Sequence, residues 1–520
     1  MKDVKKEGDF VFSPRTVAVI GASTRENTVG RSIFTNMLFS GYTGIVYPVN
    51  PKARGILGVR AYHSVWDIPG EVDLAVIIVP GVAVPQVLEE CGEKGVKAAV
   101  IITAGFKEVG QKGKELEMAV IEASKKHSIP LVGPNCLGVI NTDPEIRLNA
   151  TFAATMPKPG NIAFISQSGA LGVAALEYAY ANNIGLSKFV SMGNKADLNE
   201  NDMLEIIKDD PKTDVILLYL EDLSEPKRFI ELAREITIKR KPILAIKSGR
   251  TMEGAKAASS HTGALASSDE VYDSLFHQCG VLRVETFEEM FDYARAFANQ
   301  PLPKGNRIAI VTNAGGPGIM ATDACIRYGL QLASFDTKTT ETLKNGLPST
   351  ANINNPVDVI GDAREDRYKI AMEAVLADEN VDGVIVISTL QAMTSIKDIS
   401  LVIGEVTAKY QIPVLVCYMG VTDISDALKI LDERHIPHYK FPEAAARAMA
   451  SMAEYSHWLT RKRTEVKVFA DVDKARVEEI LAEARSQKRA FLPEPLSHSI
   501  LKAYGFPMIE SRVAKNEEEW

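Results

Sequence analysis

The sequence predicts an α/β fold of several domains built on parallel, doubly wound sheets, and three observations carry that expectation. Short β-branched apolar runs each end in a small or turn-forming residue: Thr16–Ile20 before Gly21-Ala22-Ser23, Leu74–Val79 before Pro80-Gly81, Ala98–Ile102 before Thr103-Ala104-Gly105. Helically patterned stretches, Val84–Gly95 and Lys112–His127, separate those runs as crossover helices do. Further on, one series of strands and polar turns occurs twice in the same order. At 520 residues, 46% of them hydrophobic, the chain is long enough for about three ordinary cores.

In the first domain, taken as residues 1–150, strand Thr16–Ile20, the turn at Gly21 and a helix opening near Val29-Gly30-Arg31 form the arrangement that presents backbone N–H groups to phosphate. The pattern is not G-x-G-x-x-G. The next strand, Gly44–Val49, ends in Asn50-Pro51-Lys52, where the acid that would hold a nicotinamide cofactor's ribose hydroxyl is missing. A cation there suits a ligand with an extra phosphate on its ribose, such as NADP or coenzyme A. Ile129–Val132 and the turn Gly133-Pro134-Asn135-Cys136-Leu137-Gly138 close the domain and can line the same crevice.

The second domain (151–300) and the third (301–462) open alike. Ile162–Leu171, with Ser166-Gln167-Ser168-Gly169, lies on Ile308–Pro317, with Thr312-Asn313-Ala314-Gly315-Gly316. Asn194-Lys195-Ala196-Asp197 matches Asn355-Pro356-Val357-Asp358, Asp214–Leu220 matches Asp382–Ser388, and Lys241–Ile246 matches Ile412–Cys417. Such a series describes a duplicated flavodoxin-like α/β unit. Each copy offers a strand, a small-residue turn and a helix amino terminus, so both could point at one anion.

Only the first copy continues into Lys247–Leu265, a stretch of Gly, Ala, Ser and Thr around His261. It is too poor in bulky apolar groups to be core. Small residues around an imidazole suit a mobile arm carrying a nucleophile, although an exposed loop with an idle histidine is the plainer reading. Glu221 ends a strand in this copy where the other has Leu390 or a near neighbour. A carboxylate can hold Nδ1–H of a histidine and sharpen Nε2. Equally, Asp222 and Glu225 make the segment simply acidic.

A net charge of -8 gives no basic footprint for nucleic acid. No apolar run approaches a membrane span, the amino terminus has no signal-like core, and the five cysteines form no C-x-x-C pair. The reading is therefore cytoplasmic, without membrane or metal site, and His435 and His438 are taken as surface residues. Residues 463–490 read as a charged, partly helical linker. Residues 491–520 begin a capped helix and a strand too short for a core of their own.

Together these residues resemble the acyl-CoA synthetases that form a nucleoside diphosphate, the acid-CoA ligases related to succinyl-CoA synthetase. Ser248-Gly249-Arg250-Thr251 with Ser260-His261-Thr262-Gly263-Ala264 is similar to that family's phosphohistidine segment; Gly133–Cys136 and Ser166–Gly169 resemble two further motifs. The resemblance implies a Rossmann-like CoA-binding domain, two flavodoxin-like domains and, from residue 491, the start of an ATP-grasp domain whose remainder would lie in the same or a partner chain. It implies CoA binding by Gly21, Ala22, Ser23, Gly30, Arg31, Asn50, Lys52, Pro80, Thr103, Gly105, Asn135 and Cys136. Phosphate would be held by Ser166, Ser168, Gly169, Gly315 and Gly316, with His261 phosphorylated and Glu221 supporting it. ATP or ADP and Mg2+ would bind mainly on the ATP-grasp part, and a homodimer is expected. Where succinyl-CoA synthetase has a tyrosine after its Ser-Gly turn, this chain has Gly172-Val173-Ala174, so Val173 points to a short monocarboxylic or hydroxy acid. An NADP-dependent oxidoreductase would leave the repeat and the histidine unexplained. A CoA-binding scaffold without catalysis is the other alternative.

Overall fold

The computed structural model describes residues 4–254, 256, 269–391, 393–420, 423–461 and 469–509. His261 and its flanks, 257–268, lie outside the described residues, as does 510–520. The chain divides into Met1–Thr460 and Arg461–Trp520.

The larger unit holds three main sheets. In the first, β1 (Thr16–Ile20), β2 (Ile45–Val49), β5 (Leu74–Ile77), β6 (Ala98–Ile101) and β7 (Leu131–Val132) run parallel in the order β2-β1-β5-β6-β7. A small hairpin, β3 (Gly55–Ile56) and β4 (Val59–Arg60), follows β2. Strands β5 and β6 are buried along their whole length because helices cover both faces, which is why their sequences are unbroken apolar runs.

The second sheet has the order β14-β13-β12-β10-β11-β8-β9, from β8 (Gly138–Asn141), β9 (Leu148–Thr151), β10 (Pro159–Ser166), β11 (Leu186–Ser191), β12 (Val215–Leu220), β13 (Ile243–Lys247) and β14 (Leu282–Arg283). Strand β8 pairs antiparallel with β11 and with β9. The sequence reading left residues 138–150 with the first domain; in the structure the strands they carry belong to the second sheet. Asn141 Nδ2 donates to the Phe12 carbonyl at 2.9 Å, and Asn36 Nδ2 donates to the carbonyls of Thr151 and Ala153, each at 2.8 Å. These bonds fasten the hairpin to helices Val4–Phe12 and Val29–Phe39.

The third sheet runs β16-β15-β18-β19-β20, from β15 (Arg307–Thr312), β16 (Gln331–Leu332), β18 (Gly383–Thr389), β19 (Val414–Met419) and β20 (His438–Tyr439), with β17 (Val357–Asp358) also on β15. Numbered within each domain and leaving aside the short β17, the parallel strands of all three sheets follow 2-1-3-4-5. The order reverses between β1 and β5, between β10 and β12, and between β15 and β18, and ligands bind at the strand carboxyl ends of such switch points.

The two copies meet through the helices after their fifth strands, Phe287–Asn299 and Pro442–Thr460, which pack on each other. Phe297 and Tyr455 meet edge to face at 5.6 Å, and the Tyr439 hydroxyl donates to the Asp292 carbonyl at 3.0 Å. His438 corrects an expectation: its side chain is only 14% exposed, 3.1 Å from Asp432, and burial holds its pKa below the ordinary histidine value. His435 is exposed, as expected.

In the smaller unit, helices Lys474–Ser486 and Glu494–Ala503 pack together around Val477, Ile480 and Ala484. The Asp473 carboxylate caps the first helix at Arg476 N–H. No helix among the described residues is long and apolar enough to cross a membrane.

Candidate active site

At the first switch point, glycine is required by contact. Gly21 has φ +100° and donates to the Val49 carbonyl at 3.0 Å; a Cβ there would lie 2.4 Å from the Ile78 carbonyl oxygen. A Cβ on Gly30 would stand 2.1 Å from the Gly21 oxygen, so the helix can start against the turn only without one. Asn50 builds the loop rather than facing outward. Its amide donates to the Ala22 carbonyl at 2.8 Å and its oxygen accepts from Lys52 N–H at 2.8 Å. Ser23 Oγ accepts from Arg25 N–H at 3.1 Å, while Lys52 and Pro80 are exposed and Arg31 is half-buried.

Beside this turn, a cavity of about 580 Å³ opens between the strand ends of the first and second sheets. Thr103, Asn135, Cys136, Ser168, Gly169, Val173 and Glu221 line it, seven of the residues singled out in the sequence. Val29, Ile78, Ile102 and Phe152 supply apolar wall. Thr103 Oγ1 donates to the Val79 carbonyl at 2.7 Å, and Asn135, at φ 59°, donates its N–H to the Thr103 carbonyl at 2.9 Å. The Cys136 thiol is turned inward, 3.3 Å from the Ile101 carbonyl, and burial pushes its pKa up to about 12, so it is no nucleophile at neutral pH.

The remaining sequence-derived residues stand apart from this cavity. Gly21, Ala22, Ser23, Gly30, Arg31, Asn50, Lys52, Pro80 and Gly105 do not line it, nor do Gly315 and Gly316, which are exposed at the third sheet. Ser166 is fully buried behind Ser168: its Oγ donates to the Ser168 carbonyl at 2.8 Å and accepts from Ser168 N–H at 3.2 Å. Ser168 Oγ in turn accepts from Leu171 N–H, leaving the first amides of helix Gly169–Ala181 beside the cavity with no acid in the first turn.

Sequence reasoning missed the polar groups that hold these walls. Gln167 Oε1 accepts from the N–H groups of Glu221 (2.6 Å) and Asp222 (3.1 Å), and its amide donates to Asp222 Oδ1 at 2.6 Å. Lys195 Nζ pairs with Asp222 and, at 3.0 Å, with the fully buried Glu200. Burial would raise the pKa of Asp222, but the charge of Lys195 and these hydrogen bonds outweigh it and hold the carboxyl below its ordinary value. The Asn194 amide donates to Glu108 (2.7 Å) and Glu117 (2.8 Å), joining the first domain to the second. Lys107 is bonded to the Asn194 carbonyl. Burial would raise Glu108, yet that amide and the N–H groups of Gly105 and Phe106 hold its pKa down.

Three family models match in series. Residues 15–142 match a CoA binding domain, residues 159–297 a succinyl-CoA ligase like flavodoxin domain, and residues 308–464 a ligase-CoA domain. The chain is 42% identical to the ADP-forming 4-hydroxybutyrate–CoA ligase of Nitrosopumilus maritimus, over 98% of this chain and 73% of that protein. The chain belongs to the ADP-forming acyl-CoA ligases. Within that family it is also 44% identical to the alpha subunit of ADP-forming acetate–CoA ligase II of Pyrococcus furiosus, over 86% of this chain and 97% of that subunit. The solved acetyl-coenzyme A synthetase 1 of Ca. Korarchaeum cryptofilum, in complex with phosphate and ADP, superposes on this ligase chain with a TM-score of 0.82 at 38% identity, covering 87% of this chain and 97% of that one.

Proposed function

We propose that this chain is the CoA-binding and phosphoryl-carrying part of an enzyme that converts a carboxylic acid, CoA and ATP to acyl-CoA, ADP and phosphate, reversibly. The observation that carries the reading is the shared cavity, where the Thr103 and Asn135 turns of the CoA-binding domain face Ser168, Gly169 and Glu221 of the next domain. In this reading the CoA nucleotide lies over Gly21–Ser23 with Arg31 and Lys52 near its phosphates. Its pantetheine arm follows Val29, Ile78 and Phe152 inward, where apolar walls fit an arm of that kind.

A carboxylate oxygen attacks the phosphorus of phosphorylated His261, giving an acyl phosphate and free imidazole. The CoA thiolate then attacks the acyl carbon, the C–O bond to phosphate breaks, and inorganic phosphate leaves. The helix amino terminus at Gly169 suits the phosphoryl oxygens, since unpaired N–H groups and the dipole both favour an anion. Glu221 holds Nδ1–H of His261, leaving Nε2 to carry the phosphoryl group. The helix amino terminus at Gly315 and Gly316 is of the same design and suits the phosphoryl group for the same reason. ADP, ATP and Mg2+ belong to an ATP-grasp part begun after residue 491 or supplied by a partner chain. We also infer a cytoplasmic homodimer, in keeping with five free, buried cysteines.

A short monocarboxylic or hydroxy acid fits best. Both lysines lining the cavity are committed, Lys107 to Asn194 and Glu117 and Lys195 to Glu200 and Asp222. No cation among the described lining residues is left for a second carboxylate.

Incubating the chain with acetyl-CoA and radiolabelled phosphate tests the reading by running the half-reaction backwards. Acid-labile, base-stable label on the protein is expected, and His261→Ala should abolish it. Label that persists in His261→Ala overturns the phosphohistidine assignment.

A further inference from the structure

The turn that carries Lys195 is built under constraint. A Cβ on Gly193 would stand 2.3 Å from the Pro134 carbonyl oxygen, and Lys195 itself adopts φ 54°, a left-handed backbone that a long side chain rarely takes. What this conformation achieves is specific. The lysine side chain, 5% exposed, is driven down between Glu200 (0% exposed) and Asp222 (32% exposed) at the edge of the cavity. All its donors are used: Glu200, the Asp222 carboxylate and, at 3.3 Å, the Asp222 carbonyl. Lys195 therefore has no donor left for a ligand, although it borders one's space.

The duplicated domain shows that the fold does not need this ion network. There the residue aligned with Lys195 is Pro356, and Thr389 and Leu390 stand in place of Glu221 and Asp222. The amide clamp is nevertheless kept, since Asn313 Oδ1 accepts from Thr389 N–H at 2.8 Å and its Nδ2 donates to the Thr389 carbonyl at 3.1 Å. Strand geometry is thus secured in both copies, while the charges occur only in the copy carrying the Ser168-Gly169 turn. Two adjacent carboxylates beside a helix amino terminus would repel the phosphoryl group that terminus suits, unless one of them were neutralised.

We propose that Lys195 is a positioning residue for phosphoryl transfer: it is the buried counter-charge to Asp222 that lets an anionic phosphoryl group sit beside the Glu221–Asp222 wall. This rests on the phosphohistidine reading above. The charged groups around Asp222 are Lys195 and Glu200 from its own domain, Lys107 from the first domain, Glu221 beside it and Lys247 on β13. Of these cations, only Lys195 touches the Asp222 carboxylate.

The test follows label incorporation from acetyl-CoA and phosphate as a function of pH. Lys195→Met should label about 100-fold more slowly, the scale of removing one preorganised electrostatic partner. Its rate should fall further as pH rises and the now unpaired Asp222 ionises. Adding Asp222→Asn should restore most of that rate and remove the new pH dependence, because the lost positive and negative charges then balance. Lys195→Arg, which keeps the charge, should stay within about tenfold of the parent. Because Lys195→Met also strands buried Glu200, the comparison is repeated in a Glu200→Gln background, where Asp222 is the one carboxylate left without its partner. Parent-like labelling by Lys195→Met, or a double variant no faster than Lys195→Met, overturns the proposal. If His261→Ala still takes up label, it is the phosphohistidine reading that fails instead.

Discussion

The two flavodoxin-like copies share strand order, switch point and amide clamp, yet only one of them lines the shared cavity. Each stitches its first turn with a strand-end hydroxyl: Ser166 Oγ donates to the Ser168 carbonyl at 2.8 Å, and Thr312 Oγ1 to the Ala314 carbonyl at 2.9 Å. Beyond that scaffold the first copy places Glu221, Asp222 and Lys195 around the strand ends, where the second has Thr389, Leu390 and Pro356. The difference teaches that the duplicated unit supplies a platform of common strand order, on which the two copies carry different side chains at the strand carboxyl ends.

The sharpest way to break this comparison is to treat both strand ends alike. Glu221→Gln should lower label incorporation from acetyl-CoA and phosphate by at least about 100-fold, as loss of a catalytic carboxylate does. Thr389→Ala, at the equivalent place, should leave it within about twofold; equal losses would mean that the copies share the chemistry. The clamps offer a second probe. Asn313→Ala leaves the Thr389 N–H without its side-chain partner and should destabilise the chain by about 1–3 kcal/mol in denaturant unfolding. Gln167→Ala should cost a similar amount and also slow labelling, since it frees the Glu221 backbone.

The joint between the copies should respond to pH. Burial, helped by Glu288 and Glu289 against Arg295 and Arg447, raises the pKa of Asp292 to about 6. Between about pH 4 and pH 6 the folded chain holds a proton that the unfolded chain has released, so stability should fall as pH rises through that window. Asp292→Asn should flatten the dependence and raise stability above pH 6 by on the order of 2 kcal/mol, read from melting at pH 5 and pH 7. The smallest effect separates two equivalent helix glycines. A Cβ on Gly172 would press to 2.7 Å on the Phe189 ring, whereas one on Gly318 would lie 3.1 Å from a Thr312 methyl. Gly172→Ala should therefore cost about 1–2 kcal/mol and Gly318→Ala clearly less.

Much of the platform was legible because strands buried on both faces must be apolar throughout and stop at small, polar or turn-forming residues. Thr16–Ile20, Leu74–Ile77 and Val215–Leu220 announce themselves in that way. The repeat was legible for the same reason. Strands β8 and β9 were not, because β8 is held by antiparallel pairing with the distant β11 and β9 only by pairing with β8, contacts with no local pattern. Of the candidate site, Thr103, Asn135, Ser168, Gly169 and Glu221 come together. Gln167, Asn194, Lys195 and Glu108 were overlooked because single polar residues in turns carry no periodicity. A signal did exist for Lys195, since it is where two otherwise aligned turns diverge to proline.

The hairpin β8–β9 has one more consequence. The tether between the CoA-binding module and its neighbour is woven into the neighbour's sheet and bonded back to Phe12 and Asn36, so parting the two modules there would break sheet and side-chain hydrogen bonds. A cleft braced in this way should keep its width when CoA enters, and equal small-angle scattering profiles with and without CoA would be the sign of it.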